Sequence, residues 1–386
     1  MAVPKLRFKE FDGDWSKKRL DSFLERTSNP VNVIDTQNYV QIGIRSHGKG
    51  IFHKESVTGK ELGNKRVFWV VPNALVVNIV FAWERAIAVT SDKENGLIAS
   101  HRFPMYLPKD GLSDVNFLRY MFITDKGQSY LELASPGGAG RNKTLGQSNF
   151  AELKIDLPIV EEQTKIASFL SAVDEKISQL TKKHELLSQY KQGMMQKLFS
   201  QQIRFKADDG SEFGEWVEWK FASCIDIFDN LRKPVSASER KVGFTPYYGA
   251  NGIQSYIDGY THEGEFILIA EDGANDLINY PVQYVNGKIW VNNHAHVVSG
   301  KQHIVDNKFL KYRLGSIDFT KYLVGGGRAK LNAGAMKEIA FLLPCLEEQT
   351  KIANFLSSID QKIEVVAQQI EQAKTWKKGL LQQMFV

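Results

Sequence analysis

Two long stretches of the chain repeat an apolar residue at alternating intervals of four and three positions. They run from residue 166 to 198 and from residue 352 to 384. This heptad spacing gives an α-helix one continuous apolar stripe and is typical of helices that pack as a coiled coil. The positions that we assign to the interhelix seam are Ile166, Leu170, Val173, Ile177, Leu180 and Leu187 in the first helix, and Ile352, Leu356, Ile359, Ile363, Val366 and Ile370 in the second.

Each predicted helix follows a proline, Pro158 or Pro344, and carries two glutamates in its first turn. Negative charge is favoured there by the helix dipole. Lys191 and Lys377 interrupt the two seams at the same heptad position. The alternative is that two unrelated amphipathic helices each pack on their own domain. The matched register favours packing of the two helices on each other.

An internal repeat accompanies the two helices. Residues 157–174 and 343–360 align without gaps at an offset of 186, and 13 of the 18 positions are identical. A second similarity opens each half, where Arg7-Phe8-Lys9 and Trp15 match Arg204-Phe205-Lys206 and Trp216. Each half is therefore a globular segment followed by a helix.

The short connection between the halves predicts how the helices run. The first helix ends near residue 199 and the second globular segment begins by residue 204. The second helix must run back to bury its seam on the first, so we expect an antiparallel coiled coil of ~60 Å, at 1.5 Å per residue. The predicted fold is α+β, with two α/β globular domains (1–148 and 201–334), two helical regions (149–200 and 335–386) and pseudo-two-fold symmetry.

The globular segments are rich in predicted strands but do not match each other in their middles. Residues 1–148 hold 21 Lys and Arg against 15 Asp and Glu, whereas residues 201–334 hold 15 against 16. Cations of the second segment are clustered in the sequence, at Arg232, Lys233, Arg240 and Lys241 and again between residues 308 and 330. Such clusters suit phosphate contacts, although a run of surface lysines is usually only a solvated face.

Composition narrows the class of protein. The chain has 386 residues, of which 43% are hydrophobic and 24% charged, as in folded soluble proteins. Its two cysteines exclude a disulfide framework and a Cys-rich zinc site. The most apolar stretch, residues 67–83, is broken by Pro72 and two asparagines and reads as buried strands rather than a membrane span. We expect a cytoplasmic protein without membrane contact.

Several enzyme signatures fail on inspection. Residues 43–50 resemble a P-loop, but Gly50 stands where a hydroxyl would bind magnesium. The glycine clusters lack the dinucleotide-binding order, and the Asn/Asp-Pro-Pro-aromatic tetrad of amino-methyltransferases is absent from the sequence. His294 and His296 are predicted on one face of a strand without a third metal ligand in view. Glu271-Asp272-Gly273 is interpreted as a structural turn, with a nuclease centre as the alternative.

The duplicated LP-x-x-EEQ-x-KI-A-x-FL-x-x-x-D block, with a heptad helix after each copy, resembles the specificity subunit of type I restriction–modification systems. Residues 247–253, 270–274 and 291–296 look like a common type of target recognition domain in that family. Residues 41–50 are similar to a loop of other first domains. The resemblance covers the entire chain, and it implies target recognition domains at 1–148 and 201–334.

The resemblance also implies a non-catalytic role. Such a subunit reads a bipartite, asymmetric site in double-stranded DNA, with one half read by each recognition domain. It binds two methyltransferase (modification) subunits, which carry S-adenosylmethionine and methylate adenine at N6, and two restriction/translocase subunits, which use ATP and magnesium. No cofactor is expected on this chain itself. The helix pair is expected to set the spacer and to dock the methyltransferase subunits.

The predicted DNA contacts lie on loops, and each could instead stabilise its own loop. They are Arg45, His47, Lys49, Arg141 and Lys143 in the first domain, and Asn251, Gln254, Asn292, Asn293, His294, Arg328 and Lys330 in the second. Half-sites about one helical turn of DNA apart, ~10 base pairs, suit a rigid pair of readers. The alternatives are a single-chain DNA nuclease or methyltransferase with an atypical centre, and a scaffold that binds only proteins.

Overall fold

The computed structural model describes residues 3–137, 143–325 and 329–385. Its internal contacts divide the chain into two compact units. Unit 1 contains residues 1–180 and 368–386, and unit 2 contains residues 181–367. Each unit combines one globular part with a stretch of each long helix. The division into four domains at residues 148, 200 and 334 stays a prediction.

Helices of very different length build the two units. The shorter ones are α1 (Gly59–Leu62), α2 (Val115–Phe122), α3 (Asp125–Leu133), α4 (Gln147–Glu152), α6 (Phe221–Cys224), α7 (Asn307–Leu314) and α8 (Ala333–Lys337). The long ones are α5 (Val160–Phe199), of 40 residues, and α9 (Leu346–Met384), of 39. Both run without interruption through Gly193 and Gly379, where a helical glycine costs ~1 kcal/mol.

Within each unit the two long helices run in opposite directions. In unit 1 the beginning of α5, with Leu170, shares a hydrophobic core with Leu380 and Met384 at the end of α9. In unit 2 the end of α5, with Leu198, shares a core with Ile352 at the beginning of α9. The predicted antiparallel pairing is therefore confirmed.

Burial follows the heptad pattern along both helices. The assigned seam positions that are buried are Ile166, Leu170, Val173, Leu180, Ile352, Leu356, Ile359, Val366 and Ile370. Those that are half-buried are Ile177, Leu187 and Ile363. The same stripe that pairs the helices also packs against the globular part of each unit, because Ile166 and Ile352 belong to the cores of the two units.

The lysines that interrupt the seams bind aspartates on the opposite helix. In unit 1 Lys377 Nζ lies 2.5 Å from Asp174 Oδ1, and in unit 2 Lys191 Nζ lies 2.6 Å from Asp360 Oδ1. A tyrosine from a short helix completes each site: Tyr120 donates to Asp174 at 2.8 Å, and Tyr312 donates to Asp360 at 2.6 Å. Burial raises the pKa of Asp360, but Lys191 and Tyr312 outweigh it and hold that pKa below its usual value.

The globular part of unit 1 contains two four-stranded sheets and a two-stranded one. The strands are β1 (Ser16–Arg19), β2 (Leu24–Thr27), β3 (Asn38–Ile44), β4 (Ile51–Thr58), β5 (Val67–Trp69), β6 (Leu75–Val77), β7 (Ile87–Val89), β8 (Ile98–Ser100), β9 (Met105–Pro108) and β10 (Lys154–Leu157). The orders are β2-β9-β6-β7, β4-β3-β8-β5 and β1-β10. Strand β10 leads into α5, so β1 ties the start of the chain to the helix.

The globular part of unit 2 is built on one six-stranded sheet. The strands of this globular part are β11 (Val217–Lys220), β12 (Ile225–Ile227), β13 (Thr245–Gly249), β14 (Gly252–Ile257), β15 (His262–Ala270), β16 (Val282–Val291), β17 (Ala295–Gly300) and β18 (Ala340–Leu343). The large sheet has the order β12-β17-β15-β16-β13-β14, and β11 pairs with β18 as β1 does with β10. In that sheet β13 and β16 pair in parallel, and the other neighbours are antiparallel.

The repeated Arg and Trp near the start of each half hold the first turn of the following helix. In unit 1 the Arg7 guanidinium forms two bonds of 2.7 Å to the buried carboxylate of Glu162, and Trp15 Nε1 donates to it at 3.3 Å. In unit 2 Arg204 and Trp216 contact Glu348 in the same way, at 2.7–3.1 Å. We call each set the Arg–Trp–Glu clasp. A planar guanidinium paired with a carboxylate at two points fixes both distance and orientation.

Candidate nucleic-acid interface

The loops at one end of the large sheet in unit 2 converge on one surface. Asn251, in the β13–β14 turn, donates from Nδ2 to the carbonyl of Gly273 at 2.9 Å, and its Oδ1 accepts the N–H of Asn275 at 2.9 Å. His294, in the β16–β17 turn, contacts the carboxylate of Asp272. The loop that follows β15 therefore contacts both the β13–β14 turn and the β16–β17 turn.

Two further predicted contact residues meet beside Gly249. A Cβ atom added there would lie 2.2 Å from Gln254 Nε2 and 3.2 Å from Asn292 Nδ2, so the glycine leaves room for both amides. Asn292 is 4% exposed, and its Oδ1 accepts the N–H of His294 at 2.9 Å. Asn293 is exposed in the same turn. The structure thus brings Asn251, Gln254, Asn292, Asn293 and His294 together at one end of the sheet, with Asn292 buried among the others, and their contact with DNA stays a prediction.

An ionic network lies beneath that surface. Arg232 Nη1 lies 2.7 Å from Glu271 Oε2, and Lys330 Nζ lies 2.9 Å from Glu271 Oε1. His296, 1% exposed, lies between Asp229 Oδ2 at 2.6 Å and the carbonyl of Leu331 at 2.9 Å. We call Asp229, Arg232, Glu271, His296 and Lys330 the unit 2 network. It ties the loop after β15 to the segment that carries Lys330.

The network favours the ionised form of its acids. Burial raises the pKa of Glu271, but hydrogen bonds from Lys330 and Arg232 outweigh it and hold that pKa below the usual value. Burial likewise raises the pKa of Asp229, and hydrogen bonds from His296 and the Val297 N–H reverse the effect. The bond to Glu271 raises the pKa of Lys330. Arg232 and Lys330 are thus partly neutralised inside the unit.

The expected pair of histidines on one strand face is wrong. His294 lies in the turn before β17, and His296 lies within β17. Each ring has a different carboxylate partner, Asp272 for His294 and Asp229 for His296. Within the described ranges, no group of three or more His, Cys, Asp and Glu side chains is arranged to hold a metal ion.

In unit 1 the β3–β4 turn carries the predicted contacts Arg45, His47 and Lys49. The His47 N–H donates to the carbonyl of Glu84 at 2.7 Å, and the Gly48 N–H donates to Arg85 at 3.0 Å. Gly48 has φ +64°, and a Cβ there would lie 2.7 Å from Ile123 Cγ2. The turn is therefore packed onto neighbouring segments and needs a glycine.

Cations of this turn differ in what they already contact. Arg45 lies 4.7 Å from the centre of the Phe52 ring and donates to the Ile51 carbonyl at 3.1 Å. Lys49 is exposed. Lys143 is half-buried two residues before Leu145, whose N–H donates to the Ile79 carbonyl at 2.8 Å. Arg141 and Arg328, the remaining predicted contacts, lie outside the described residues.

Sequence reasoning missed the residues that position these loops. Asp229 and Arg232 were separated from Glu271 by about 40 positions, and nothing in the spacing linked them. Arg232 was grouped with the phosphate-binding candidates, whereas its guanidinium is engaged within the unit. The pairing of β15 with β17 could have supplied the link, since it sets Ala270 beside Ala295.

This arrangement of side chains is suited to binding. The converging side chains of unit 2 are amides, a histidine and partly paired cations, which are the groups that hydrogen-bond base edges and phosphates.

None of the helices in the described part of the chain has an apolar stretch of the length needed to cross a bilayer.

Comparison with known families defines the class of protein. The chain matches the family model for the type I restriction modification DNA specificity domain over residues 18–188 and 216–375, once in each half. These matches cover most of the chain. The chain belongs to the family of type I restriction–modification DNA specificity proteins.

Individual relatives agree with that assignment. A putative type I restriction enzyme specificity subunit of Haemophilus influenzae is 48% identical over 147 residues, which are 38% of this chain and 38% of that protein. The putative type I restriction enzyme MjaX specificity subunit of Methanocaldococcus jannaschii is 24% identical over 96% of this chain and 93% of its own length. The crystal structure of a type I restriction-modification system S subunit from M. genitalium has the same fold, with a TM-score of 0.68 at 17% identity over 100% of this chain and 99% of that one.

Proposed function

We propose that this chain is the DNA-specificity subunit of a type I restriction–modification complex and that each globular part reads one half of a bipartite, asymmetric site. The duplicated frame with dissimilar loops carries the proposal. The same clasp, strand pair and lysine–aspartate contact recur in both units, while the sheets and loops between them differ. Because the two globular parts differ while their supports match, we expect the two halves of the DNA site to differ in sequence.

The long helices supply the second part of the proposal. They set the spacer between the half-sites and dock two methyltransferase subunits. A matched insertion of seven residues in α5 and α9 keeps the heptad register and lengthens each helix by ~10 Å. That length corresponds to ~3 base pairs of DNA. The permitted spacer should grow while the half-site sequences stay the same, and a changed half-site with an unchanged spacer would contradict this part.

Catalysis is assigned to the partners. S-adenosylmethionine belongs to the two methyltransferase subunits, and ATP and magnesium belong to two restriction subunits. Purified chain incubated with S-adenosylmethionine, magnesium and DNA should neither methylate nor cleave. Turnover by the chain alone would instead favour a single-chain nuclease or methyltransferase.

The decisive experiment is sequencing of methylated adenine in cells that express the chain with its modification subunit. We expect one bipartite motif with two different halves and a fixed spacer. An unmodified genome despite assembly of the complex, or a single continuous motif, would overturn the proposal.

A further inference from the structure

A groove of about 600 Å³ opens on the surface of unit 1, and the residues that line it do not include Arg45, His47 or Lys49 of the β3–β4 turn. It is bounded by β3, β4, the start of β5, the segment after β6 and the connection between β8 and β9. The side chains that line it are basic, amide or aromatic, with Lys54, Lys65, Arg66, Asn78, Phe81 and Arg102 among them.

Strand pairing brings the cations of the groove together. Antiparallel pairing of β5 with β8 sets Val67 opposite Ser100. The pairing continues one residue beyond both strands, where the His101 N–H donates to the carbonyl of Arg66 at 3.1 Å. The Ile79 N–H then donates to the carbonyl of Arg102 at 3.0 Å, which fixes the segment after β6 against the same connection.

No carboxylate of the described residues neutralises the positive charge in the groove. Lys54, Lys65, Arg66 and Arg102 are all exposed. None of them forms an ion pair with a described carboxylate, and no acidic side chain of the described residues lines the groove. Lys330 of unit 2, by contrast, has Glu271 at 2.9 Å. Four free cations in one concave surface give a local field that attracts a polyanion.

Asn78 adds an open hydrogen-bond donor inside the groove. The residue is 7% exposed, and its Oδ1 accepts the N–H of Val80 at 3.1 Å. Its Nδ2 has no hydrogen-bond partner among the described residues. The buried polar side-chain atoms of the described residues that lack a partner are Tyr106 Oη and Arg313 Nε, so the Asn78 Nδ2 reaches the solvent of the groove, where a ligand acceptor can take the place of water. An asparagine side chain pairs with the N7 and N6 edge of adenine.

We propose that this groove is the DNA-binding surface of unit 1, in which Lys65, Arg66 and Arg102 contact phosphates and Asn78 reads an adenine edge. The inference rests on the proposed function and names the residues that carry it in the first reader. The occupant is duplex DNA because the groove combines unpaired cations, an amide donor and the exposed Phe81 ring. Phosphate contacts supply affinity and the amide supplies selectivity.

The experiment uses the full chain assembled with its modification subunit, and duplexes that carry the site defined by wild-type methylation. The first variant is Lys65→Ala/Arg66→Ala/Arg102→Ala, and its matched control is Lys17→Ala/Lys18→Ala on the exposed strand β1. Loss of three phosphate contacts should lower the slope of log K against log salt by about 2.7. The control should leave the slope unchanged.

Asn78 is tested by two substitutions. Asn78→Asp keeps the oxygen that accepts from Val80 and removes the open donor, and Asn78→Ala removes both. Each should reduce discrimination at one base pair of one half-site about tenfold or more, with the other half-site unchanged. Asn78→Ala, which adds no charge to the groove, should also leave the salt slope unchanged. A melting curve reports whether each variant is folded, and Asn78→Asp serves if the alanine variant is not.

Failure of the inference differs from failure of the proposed function. Wild-type methylation of a bipartite site, with slope and selectivity unaltered in all groove variants, would overturn the inference alone. Weakened binding of the modification subunit with intact DNA binding would assign the groove to a protein partner and overturn it as well. A wild-type complex that methylates no bipartite site would instead contradict the proposed function, on which the inference depends.

Discussion

The globular parts of the two units differ in whether their cations are paired with carboxylates. In unit 1 four cations of the groove lie exposed without a described acidic partner, whereas in unit 2 Arg232 and Lys330 both bind Glu271. The supports beneath them are of the same kind, since each unit has an Arg–Trp–Glu clasp, with arginine–glutamate bonds of 2.7 Å in unit 1 and of 2.7 and 3.1 Å in unit 2. The repeated frame of clasp, short strand pair and lysine–aspartate contact therefore keeps the same geometry in both units, while the surface residues of the globular parts differ.

That difference separates two ways of building a DNA reader. Unpaired cations give affinity that depends strongly on salt, because each phosphate contact releases counterions. Cations paired with internal carboxylates fix the loops of unit 2, and Gln254 and Asn293 on the neighbouring turns and strands stay exposed. We expect unit 1 to contribute more of the salt dependence and unit 2 more of the positional rigidity.

Breaking the clasp should have the largest effect and should be the same in both units. Glu162→Ala and Glu348→Ala each leave the guanidinium with a single backbone carbonyl, that of Gly13 or Gly214, and the indole N–H without its partner. Losing the carboxylate of such a pair should cost ~3 kcal/mol. Urea unfolding measures the change. Glu161→Ala and Glu347→Ala, at the exposed neighbouring positions, should stay within ~0.5 kcal/mol of wild type. Equal losses in variant and control would show that the clasp is not what stabilises the frame.

The unit 2 network should come next, and its effect should be confined to one unit. His296→Leu removes the ring between the Asp229 carboxylate and the Leu331 carbonyl and should cost ~2–3 kcal/mol. Hydrogen exchange should rise in residues 271–275 and 292–294, with unit 1 unchanged. His303→Asn is the control, because His303 is exposed and has a φ of +65° that asparagine tolerates. Protection that is lost equally in both units would contradict a local role.

Acid should weaken unit 2 through the same network. The folded-state pKa values of Asp229 and Glu271 lie below their ordinary values of 3.8 and 4.5, so their stabilisation is complete above those values. It is lost as the pH falls through the folded-state pKa values. Melting temperature measured from pH 7 downward should therefore drop below about pH 4.5. Asp229→Asn should flatten this dependence, and an unchanged profile would argue that Asp229 does not contribute.

The smallest effect on stability should come from the partly exposed member of the network. Lys330→Met breaks an ion pair whose lysine is 44% exposed, so solvent screening should keep the loss of stability below that of His296→Leu. If Lys330 also contacts phosphate, as the sequence predicts, DNA affinity should fall severalfold in the same variant. Lys220→Met, which breaks the more exposed ion pair with Glu338 outside both cation clusters, is the control for both measurements. A large loss of stability would mean that Lys330 chiefly supports its loop.

Sequence alone could predict the frame because its signals are local and repeated. Heptad spacing marked both long helices, and the short connection near residue 200 predicted their opposite directions. Glu161 and Glu162 looked equivalent as first-turn acids, yet Glu161 is exposed and Glu162 is buried against Arg7. What distinguishes them is a partner 155 positions away, which helix periodicity does not reveal.

Recognition surfaces were harder to predict because charge in a sequence does not show its partners. Arg66 and Arg232 are both arginines next to a lysine, but one lies in an open groove and the other inside an ionic network. The pairing of β5 with β8 and of β15 with β17 decides between these outcomes. Asn78 gave no signal at all, since only its place at the end of a buried strand makes its amide donor significant.

The lysine–aspartate contacts carry an evolutionary consequence. Helix α5 holds Asp174 and Lys191, and α9 holds Asp360 and Lys377, each pair separated by 17 positions. Because every helix bears both members of the pair, it is complementary to a second copy of itself. A gene half as long would encode both members of these contacts, so two identical chains could pair their helices in the same opposite directions. Duplication followed by divergence of the loops would then turn a palindromic reader into one for unlike half-sites.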